Sequence, residues 1–586
     1  MPLEFYSEVI EIKLDARTAL ECPEYLHKSH AHRRFDLSNR VSDDPLVAEF
    51  MRLGLVHEER VIQYLRSLPL KVAVISQDQG ESVAQIHTAQ ALLDSSNQII
   101  LGAYIGGDCE AYLQEKLQDP SLGDESRVSR PDILIQVGVN SKGTPQWAPV
   151  DIKNHGAFDS ENKSNKVKVS QWSDHLPDGA IEVSGKLEFD DGMQLAHYHA
   201  HLLNLGFASP DYLVGIVGRE YQAIAWAHLD QTKQGRGANA STYISIYHDN
   251  FLQAEKVVRI AIERNRDEAI EAPVIAKMKS GKFGCSMCEF RLICMDEMEK
   301  FDNGAGHVTL LARVTAAVAE KDLPGIESIR DLVSAAGLSD PGEKARRRAR
   351  AWQSGKPELV DPSEPLDIPQ FDIEVDIDLE NSQGFLEEIL DGEQFGDDQV
   401  YLYGYGVHDR VKNPDWRTTS FSHFSNFGGS AEDEYEVMLA MWQKLEQLVR
   451  DAKANDQSIG IFHYSSHEKS WWRRFAKRYS SNPKTPSIDA VEGFMSRHFV
   501  DLLEYSRKVA LKSIGYSIKQ LAPLAGFSWS VDSAGGALSL LKYQIASNKE
   551  LTQEQRQEAI DWLIEYNRDD VKATYAVRDY LRSLDL

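Results

Sequence analysis

Apolar positions along the chain follow two alternating spacings. Residues 44–68 and 562–581 repeat apolar side chains at the spacing of a helix face, whereas residues 129–139, 147–155 and 371–377 alternate apolar and polar side chains. The first spacing is typical of amphipathic helices and the second of strands with one buried face. Both kinds occur in each half of the chain, which predicts an α/β fold class.

The same patterns divide the chain into three parts. Residues 1–298 alternate helical and strand patterns and end in a cysteine cluster. Residues 299–362 read as a short helical connector followed by a charged, proline-containing linker, and residues 363–586 return to α/β and close on a long amphipathic helix. A length of 586 residues exceeds what one hydrophobic core usually serves, so two main domains are expected.

Composition narrows the class of protein. Apolar residues make up 42% and charged residues 26%, and no apolar run is long enough to span a bilayer. The N-terminal stretch lacks a basic segment followed by an apolar core, so we expect a cytoplasmic protein without a secretion signal. The formal net charge of −26 argues against indiscriminate coating of nucleic acid, but four basic, aromatic-containing stretches could line a local groove for single strands.

Two predicted strands of the first part carry acids with catalytic potential. Asp132 follows Pro131 at the start of one strand, and Asp151 and Lys153 stand two residues apart on the other. Alternation in a strand aims Asp151 and Lys153 at the same face. Neighbouring carboxylates can hold a divalent cation, and a lysine can orient a water or stabilise phosphoryl charge, which is chemistry for phosphodiester hydrolysis.

Two predicted helices add candidates on either side of these strands. His57 and Glu58 lie on the helix upstream, and either side chain could complete a metal shell. Gln194 and Tyr198 are four residues apart on the helix downstream and therefore share a face. A D-x-K triplet or a lone histidine is common in proteins, so the order of all these residues carries more weight than any one of them.

In that order, His57, Pro131-Asp132, Asp151-x-Lys153 and Gln194-x-x-x-Tyr198 resemble the RecB-like branch of the PD-(D/E)XK nucleases over residues 10–298. The resemblance implies a restriction-endonuclease-like domain that uses Mg²⁺ or Mn²⁺. It implies metal ligation by His57, Asp132 and Asp151, with catalytic roles for these residues and for Lys153, Gln194 and Tyr198.

Four of the five cysteines extend this resemblance. Members of this branch that resemble the AddB-type and CRISPR-adaptation nucleases carry one cysteine before the nuclease core and three after it, and these positions match Cys22 and then Cys285, Cys288 and Cys294. Four thiolates suit a [4Fe–4S] cluster, which the resemblance favours, and they also suit tetrahedral zinc, which spacing alone hardly separates from it. Cys109 is left over and is most simply a small buried side chain.

The last part of the chain repeats the theme of paired acids. Asp372 and Glu374 share one face of a predicted strand, and His467-Glu468 lies where a later strand runs into a helix. On the final helix Tyr566 and Asp570 are four residues apart and share a face. The phenol could then position a water beside a metal held by Asp570.

This series resembles the DEDD exonucleases, and especially the YprB-type RNase H-like domain that often follows a RecB-like nuclease. The resemblance implies metal ligation by Asp372, Glu374 and Asp570 and a catalytic role for Tyr566. The aspartate of the second motif is missing. Glu468 takes its place, with Asp501 as another candidate.

Together these patterns predict a metal-dependent nuclease that acts on DNA, favoured over RNA, with single-stranded or end-containing substrates and a second, 3′-to-5′ exonuclease-like domain. The resemblance places such proteins in DNA repair or mobile-element defence. The chain has no G-x-x-x-x-G-K-[ST] loop, so unwinding would require a separate helicase partner. The alternative is a catalytically degenerate nucleic-acid-binding or scaffold protein that works with such a helicase.

Overall fold

A computed structural model describes most of the chain, which forms two compact units made mainly of residues 47–275 and 291–586. The described residues are 12–36, 38, 45–123, 126–154, 156–158, 166–172, 176–177, 180–218, 221–230, 232–234, 241–267, 269–278, 285, 288–382, 399–410, 412, 420–531 and 536–586. Within these ranges, no helix is both long and apolar enough to cross a membrane.

The first unit is a mixed α/β structure. Its helices are α1 (Pro23–His30), α2 (Pro45–Ser67), α3 (Glu81–Leu93), α4 (Gly107–Leu117), α5 (Phe189–Asn204) and α6 (Tyr243–Arg266). Its strands are β1 (Val72–Val74), β2 (Ile99–Leu101), β3 (Ile133–Val139), β4 (Pro145–Ile152), β5 (Lys166–Gln171), β6 (Ile181–Ser184), β7 (Leu213–Val217), β8 (Ala223–His228), β9 (Thr232–Gln234) and β10 (Ser241–Thr242).

Eight of these strands form one sheet in the order β1-β2-β3-β4-β7-β8-β5-β6. At its centre β3 and β4 are antiparallel, with Ile133 opposite Val150, and β4 and β7 are parallel, with Asp151 opposite Ile216. Helix α5 lies between β4 and β7 in sequence, as the crossover between parallel strands requires. Successive side chains of β7 enter two different apolar cores, so this strand is buried on both faces.

The second unit contains more helices. They are α7 (Arg291–Gly304), α8 (Ala316–Asp322), α9 (Ile329–Ser334), α10 (Asp340–Ser354), α11 (Ala431–Ala454), α12 (His467–Arg478), α13 (Ile488–His498), α14 (Leu502–Ser506), α15 (Ile518–Leu521), α16 (Gly536–Ser547) and α17 (Gln553–Ser583). Its strands are β11 (Glu358–Leu359), β12 (Ile373–Asn381), β13 (Val400–Asp409), β14 (Ser420–Ser425), β15 (Ile459–His463), β16 (Phe499–Asp501) and β17 (Val509–Ala510).

Five of these strands form a sheet in the order β14-β13-β12-β15-β16. The pairs on the β14 side are antiparallel and the pairs on the β16 side are parallel, so β12 stands where the direction changes. Strand β12 alternates strictly between apolar and acidic residues from Ile373 to Glu380. Val375, Ile377 and Leu379 enter a core with α11 and α12, whereas the acids between them face the other way.

Helix α17 covers the acidic side of β12. It begins at a capping box in which Thr552 accepts a hydrogen bond from the Gln555 backbone and the Gln555 side chain accepts one from the Thr552 backbone. Over 31 residues the helix extends about 46 Å, long enough to pass every acid of β12. Its polar residues therefore decide what each acid of the strand can do.

Candidate active site

In the second unit, one end of β12 forms a compact group of carboxylates with α17. One oxygen each from Asp378, Glu380 and Asp570 lie within 4.8 Å of one another. The Asn567 amide donates a 2.7 Å hydrogen bond to Asp378. Burial, followed by the charge of Asp570, raises the pKa of Asp378 well above its usual value and that of Glu380 to about 8. Three acids this close, two buried and one half-buried, repel one another when ionised unless a cation compensates them.

Asp570 also has two donors on the same oxygen. The Lys519 ammonium and the Trp529 indole nitrogen each lie 2.6 Å from Asp570 Oδ1. Burial raises the pKa of Asp570, although Lys519 and the other donors act in the opposite direction. Tyr566 stands one helical turn before Asp570, and the pKa of its phenol is raised by burial and by that carboxylate. Tyr566 therefore stays protonated at neutral pH.

The predicted first motif is corrected by this geometry. Glu374 lies with Arg578 at 3.2 Å and Arg582 at 2.8 Å, and both its side chain and that of Arg578 are fully buried. Asp372 is near the surface, where it accepts hydrogen bonds from the backbone and hydroxyl of Ser458. Glu374 stands four residues, about 13 Å, from Asp378 along the strand. The structure therefore brings Asp378 and Glu380, and not Asp372 and Glu374, to Asp570.

The candidates for the second motif have different environments. Glu468, at the start of α12, is 2% exposed, lies 3.4 Å from His463, and contributes to the raised pKa of Asp378. It is therefore a neighbour of the carboxylate group. Asp501 instead caps α14, because its carboxylate accepts hydrogen bonds from the backbone of Leu503 and Ser465. That is a structural role.

The first unit gathers most of its predicted residues into one chain of contacts. The Lys153 ammonium lies 2.5 Å from Asp151 and donates a 2.7 Å hydrogen bond to Gln194, which in turn donates a 2.8 Å bond to the Tyr198 phenol. Burial would lower the pKa of Lys153, but Asp151 and then Asp191 raise it above its usual value. Lys153 is therefore a fixed positive charge.

Asp132 faces the same group from the start of β3. It accepts a 2.7 Å hydrogen bond from the Ile152 backbone, and burial followed by the charge of Asp151 raises its pKa well above the usual range. Burial and Asp151 also raise the pKa of Glu58. The His57 ring lies 3.2 Å from the carbonyl oxygen of Gly218. Of the two upstream candidates, Glu58 is the one that shares the electrostatic environment of the acids.

The positions of the five cysteines do not by themselves establish a metal or cluster site. Cys109 is fully buried in α4, where burial raises the pKa of its thiol, consistent with the predicted packing role. Cys22 occupies the position just before α1, and it is half-buried like Cys285, Cys288 and Cys294. Cys22 and Cys288 belong to the first compact unit and Cys285 and Cys294 to the second. Their joint ligation of a cluster stays a prediction.

Comparison with known families bears on the second unit. A family model of the RNase H superfamily, RNase_H_2, matches residues 392–582, which is less than half of the chain. The matched range begins after β12 and includes Glu468, Lys519, Tyr566 and Asp570. No curated protein and no solved structure matches the chain. The second unit thus contains an RNase H-like domain.

Sequence reasoning missed five residues of the second site. Strand β12 was predicted, but its acids stand at every second position from 372 to 380, so alternation alone could not choose among them. Arg578 and Arg582 of α17 could have indicated which acids of the strand lie near Asp570. They lie 8 and 12 residues beyond Asp570, and whichever acids pair with them cannot also lie beside Asp570. The missed residues are Asp378, Glu380, Lys519, Trp529 and Asn567.

Proposed function

We propose that the chain is a metal-dependent nuclease whose RNase H-like domain hydrolyses phosphodiester bonds at the 3′ end of a strand. The observation that carries this proposal is the group of Asp378, Glu380 and Asp570, with ligand oxygens within 4.8 Å in a buried site. Carboxylate oxygens are the donors that Mg²⁺ and Mn²⁺ prefer. Raised pKa values indicate acids that gain stability when a cation arrives.

The chain's own groups have separate tasks at this site. Asp378, Glu380 and Asp570 would hold a divalent cation, which when bound supplies Lewis-acid polarisation of the phosphate. The protonated phenol of Tyr566, next to Asp570, can orient an attacking water by hydrogen bonding. Asn567 fixes the Asp378 carboxylate, which keeps the donor set in place.

The test compares two aspartates of α17. In the full chain carrying Asp151→Asn to silence the first unit, Asp570→Asn should abolish release of nucleotides from 5′-labelled single strands in Mg²⁺ or Mn²⁺, as seen in the ladder of products. The matched control is Asp561→Asn, an exposed aspartate of the same helix, which should leave the ladder unchanged. Unaltered trimming by Asp570→Asn would remove this function from the second unit.

For the first unit we propose a PD-(D/E)XK nuclease centre formed by Asp132, Asp151 and Lys153, with Glu58 as the additional acid. Support comes from the strand arrangement, in which antiparallel β3 and β4 carry the acids and β4 continues through α5 into parallel β7. Further support comes from the contacts of Lys153 with both Asp151 and Gln194. A divalent cation held by the carboxylates would polarise the phosphate there as well.

In this centre, Lys153 is the residue that we expect to act directly on the reacting phosphate. Its raised pKa keeps it charged, so it can stabilise the developing negative charge of the phosphoryl group. Lys153→Met and Asp151→Asn should each remove cleavage that survives Asp570→Asn. Lys142→Met, in the exposed turn between β3 and β4, is the control and should have no effect. Cleavage retained by both site variants would exclude this centre.

We further propose that Cys22, Cys285, Cys288 and Cys294 hold a [4Fe–4S] cluster. Four half-buried thiols are a donor set that suits a cluster, and it also suits zinc. Anaerobically purified protein should contain iron and be brown, and Cys22→Ala should lose both the iron and the colour. Cys109→Ala, the control, should keep both. Stoichiometric zinc without iron would exclude the cluster.

Nucleic acid is the proposed partner, with DNA favoured over RNA and a helicase supplying any unwinding in repair or defence. Support on the second unit comes from an open groove of about 850 Å³ beside α12, lined by Arg473, Arg474 and Lys477 together with several hydroxyl side chains. Glu468 opens the same helix that carries these cations near its end. The alternative is a scaffold role without catalysis. It would be supported if Asp570→Asn, Lys153→Met and Asp151→Asn all bind single strands and none of them differs from wild type in cleavage.

A further inference from the structure

Lys519 lies in a pocket that fixes its ammonium group beside the acids of the second unit. The ammonium is 2.6 Å from Asp570 Oδ1, 4.0 Å from the centre of the Trp529 ring and 4.3 Å from that of the Tyr566 ring. A cation over an aromatic face gains about 0.5–2 kcal/mol, and here two faces and a carboxylate act together. The lysine is therefore held at the site and is not a passing surface charge.

Two of the three acids already use part of their hydrogen-bonding capacity on protein groups. Asp570 Oδ1 accepts from both Lys519 and Trp529, and Asp378 Oδ2 accepts from Asn567. One oxygen from each acid lies within 4.8 Å of the other two. Ligands around one Mg²⁺, at about 2.1 Å each, span about 4 Å.

The balance of charge at the three acids also favours a single divalent cation. Three carboxylates carry three negative charges, which one divalent cation and one ammonium would neutralise. Glu468, the next acid, has His463 as its own neighbour at 3.4 Å. A second divalent cation would have to share Asp570 with the ammonium and would leave the buried group with excess positive charge, which is costly in a site of low dielectric.

This inference rests on the proposed phosphodiesterase function of the same site. We propose that the RNase H-like domain holds a single divalent cation and that the Lys519 ammonium supplies the positive charge that a second cation would otherwise bring. Lys519 is then a positioning residue: it fixes Asp570 and contributes charge near the phosphate. In nucleases that use two cations about 3.5–4 Å apart, a second metal supplies this charge, and here a side chain would supply it.

The test counts bound Mn²⁺ in the full chain carrying Asp132→Asn and Asp151→Asn, so that the first unit does not contribute. Calorimetry should give one Mn²⁺ per chain, two after Lys519→Met, and one after Lys508→Met. Lys508 is the control because its ammonium also lies over a ring, 5.6 Å from Tyr505. Two Mn²⁺ without the Lys519 substitution, or one with it, would overturn the inference. No Mn²⁺ in any variant would overturn the proposed function itself.

A second measurement does not depend on the folding of the Lys519 variant. Electron paramagnetic resonance of the Mn²⁺-loaded chain, with Lys519 in place, should show the six-line signal of an isolated ion. An exchange-coupled signal from two ions about 4 Å apart would contradict the single-cation site.

Discussion

The two ends of β12 carry the same kind of side chain and have opposite roles. Glu374 and Asp376 lie opposite the arginines of α17 in buried ion pairs. Asp378 and Glu380, two and four residues further on, lie opposite Asp570, where like charges accumulate. A carboxylate on this strand therefore becomes a structural ion pair or a candidate metal ligand according to which turn of α17 crosses it. Buried charge is compensated by protein at one end and left for a cation at the other.

The largest effect is expected at the compensated end. Arg578→Met would leave Glu374 and Asp376 buried without their main partner, and we expect a loss of about 3–5 kcal/mol in the free energy of unfolding. Urea denaturation measures it. Arg568→Met, a half-exposed arginine of the same helix paired with Glu565, should cost less than about 1 kcal/mol. Equal losses for the two variants would contradict the buried ion pairs.

At the Asp378 end of β12, removing a charge should raise the free energy of unfolding and not lower it. In metal-free protein, Asp378→Asn removes a buried charge that faces Asp570 and Glu380, so the free energy of unfolding should rise by about 1–2 kcal/mol. Added Mn²⁺ should stabilise the wild type and reverse that order, because only the wild type keeps the full ligand set. Denaturation in EDTA and in Mn²⁺ gives both values. Destabilisation by Asp378→Asn in EDTA would show that the acids are already compensated.

The pH dependence of the free energy of unfolding also distinguishes the two ends of β12, with a smaller expected effect. Burial would raise the pKa of Glu374, but Arg582 and Arg578 together lower it below its ordinary 4.5. The stabilisation from this depressed pKa is present above pH 4.5 and is lost as the pH falls through the folded value. Glu374→Gln should therefore flatten the fall in stability below about pH 4.5, by at most about 1.4 kcal/mol per pH unit. Glu432→Gln, on the exposed side of α11, should leave that slope unchanged.

The smallest effect is expected at Asp372. Its carboxylate accepts hydrogen bonds from Ser458 near the surface and lies beyond the ion pairs, far from Asp570. Asp372→Asn should leave the rate of 3′ trimming within about twofold of wild type. Loss of trimming in a labelled-strand assay would place Asp372 in the proposed active site.

Local spacing predicted which of the first unit's candidate side chains lie together, for a physical reason. Asp151 and Lys153 are two residues apart on one strand, and Gln194 and Tyr198 are one turn apart on one helix, so secondary structure alone aligns each pair. The contacts among Asp151, Lys153, Gln194 and Tyr198 follow that expectation. Only the choice between His57 and Glu58 depended on where α2 packs.

The second unit's site could not be derived in this way. The strand and the long final helix were both predicted, but selecting two acids out of five required the register of α17 against β12, nearly two hundred residues apart in sequence. Lys519 and Trp529 gave no local signal, because they contact Asp570 from positions far from it in sequence and not from the same strand or helix. Long-range register is set by packing of the whole unit and not by any short pattern.

The most direct test of the central claim compares two glutamates of β12 in one assay. Glu374→Gln and Glu380→Gln are isosteric changes six residues apart, each made in the full chain with Asp151→Asn to silence the first unit. With 5′-labelled single strands and Mn²⁺, we expect Glu380→Gln to lose trimming by about 10²-fold or more and Glu374→Gln, compared per folded molecule, to keep it. Trimming that survives Glu380→Gln and disappears with Glu374→Gln would show that the active site lies at the other end of the strand.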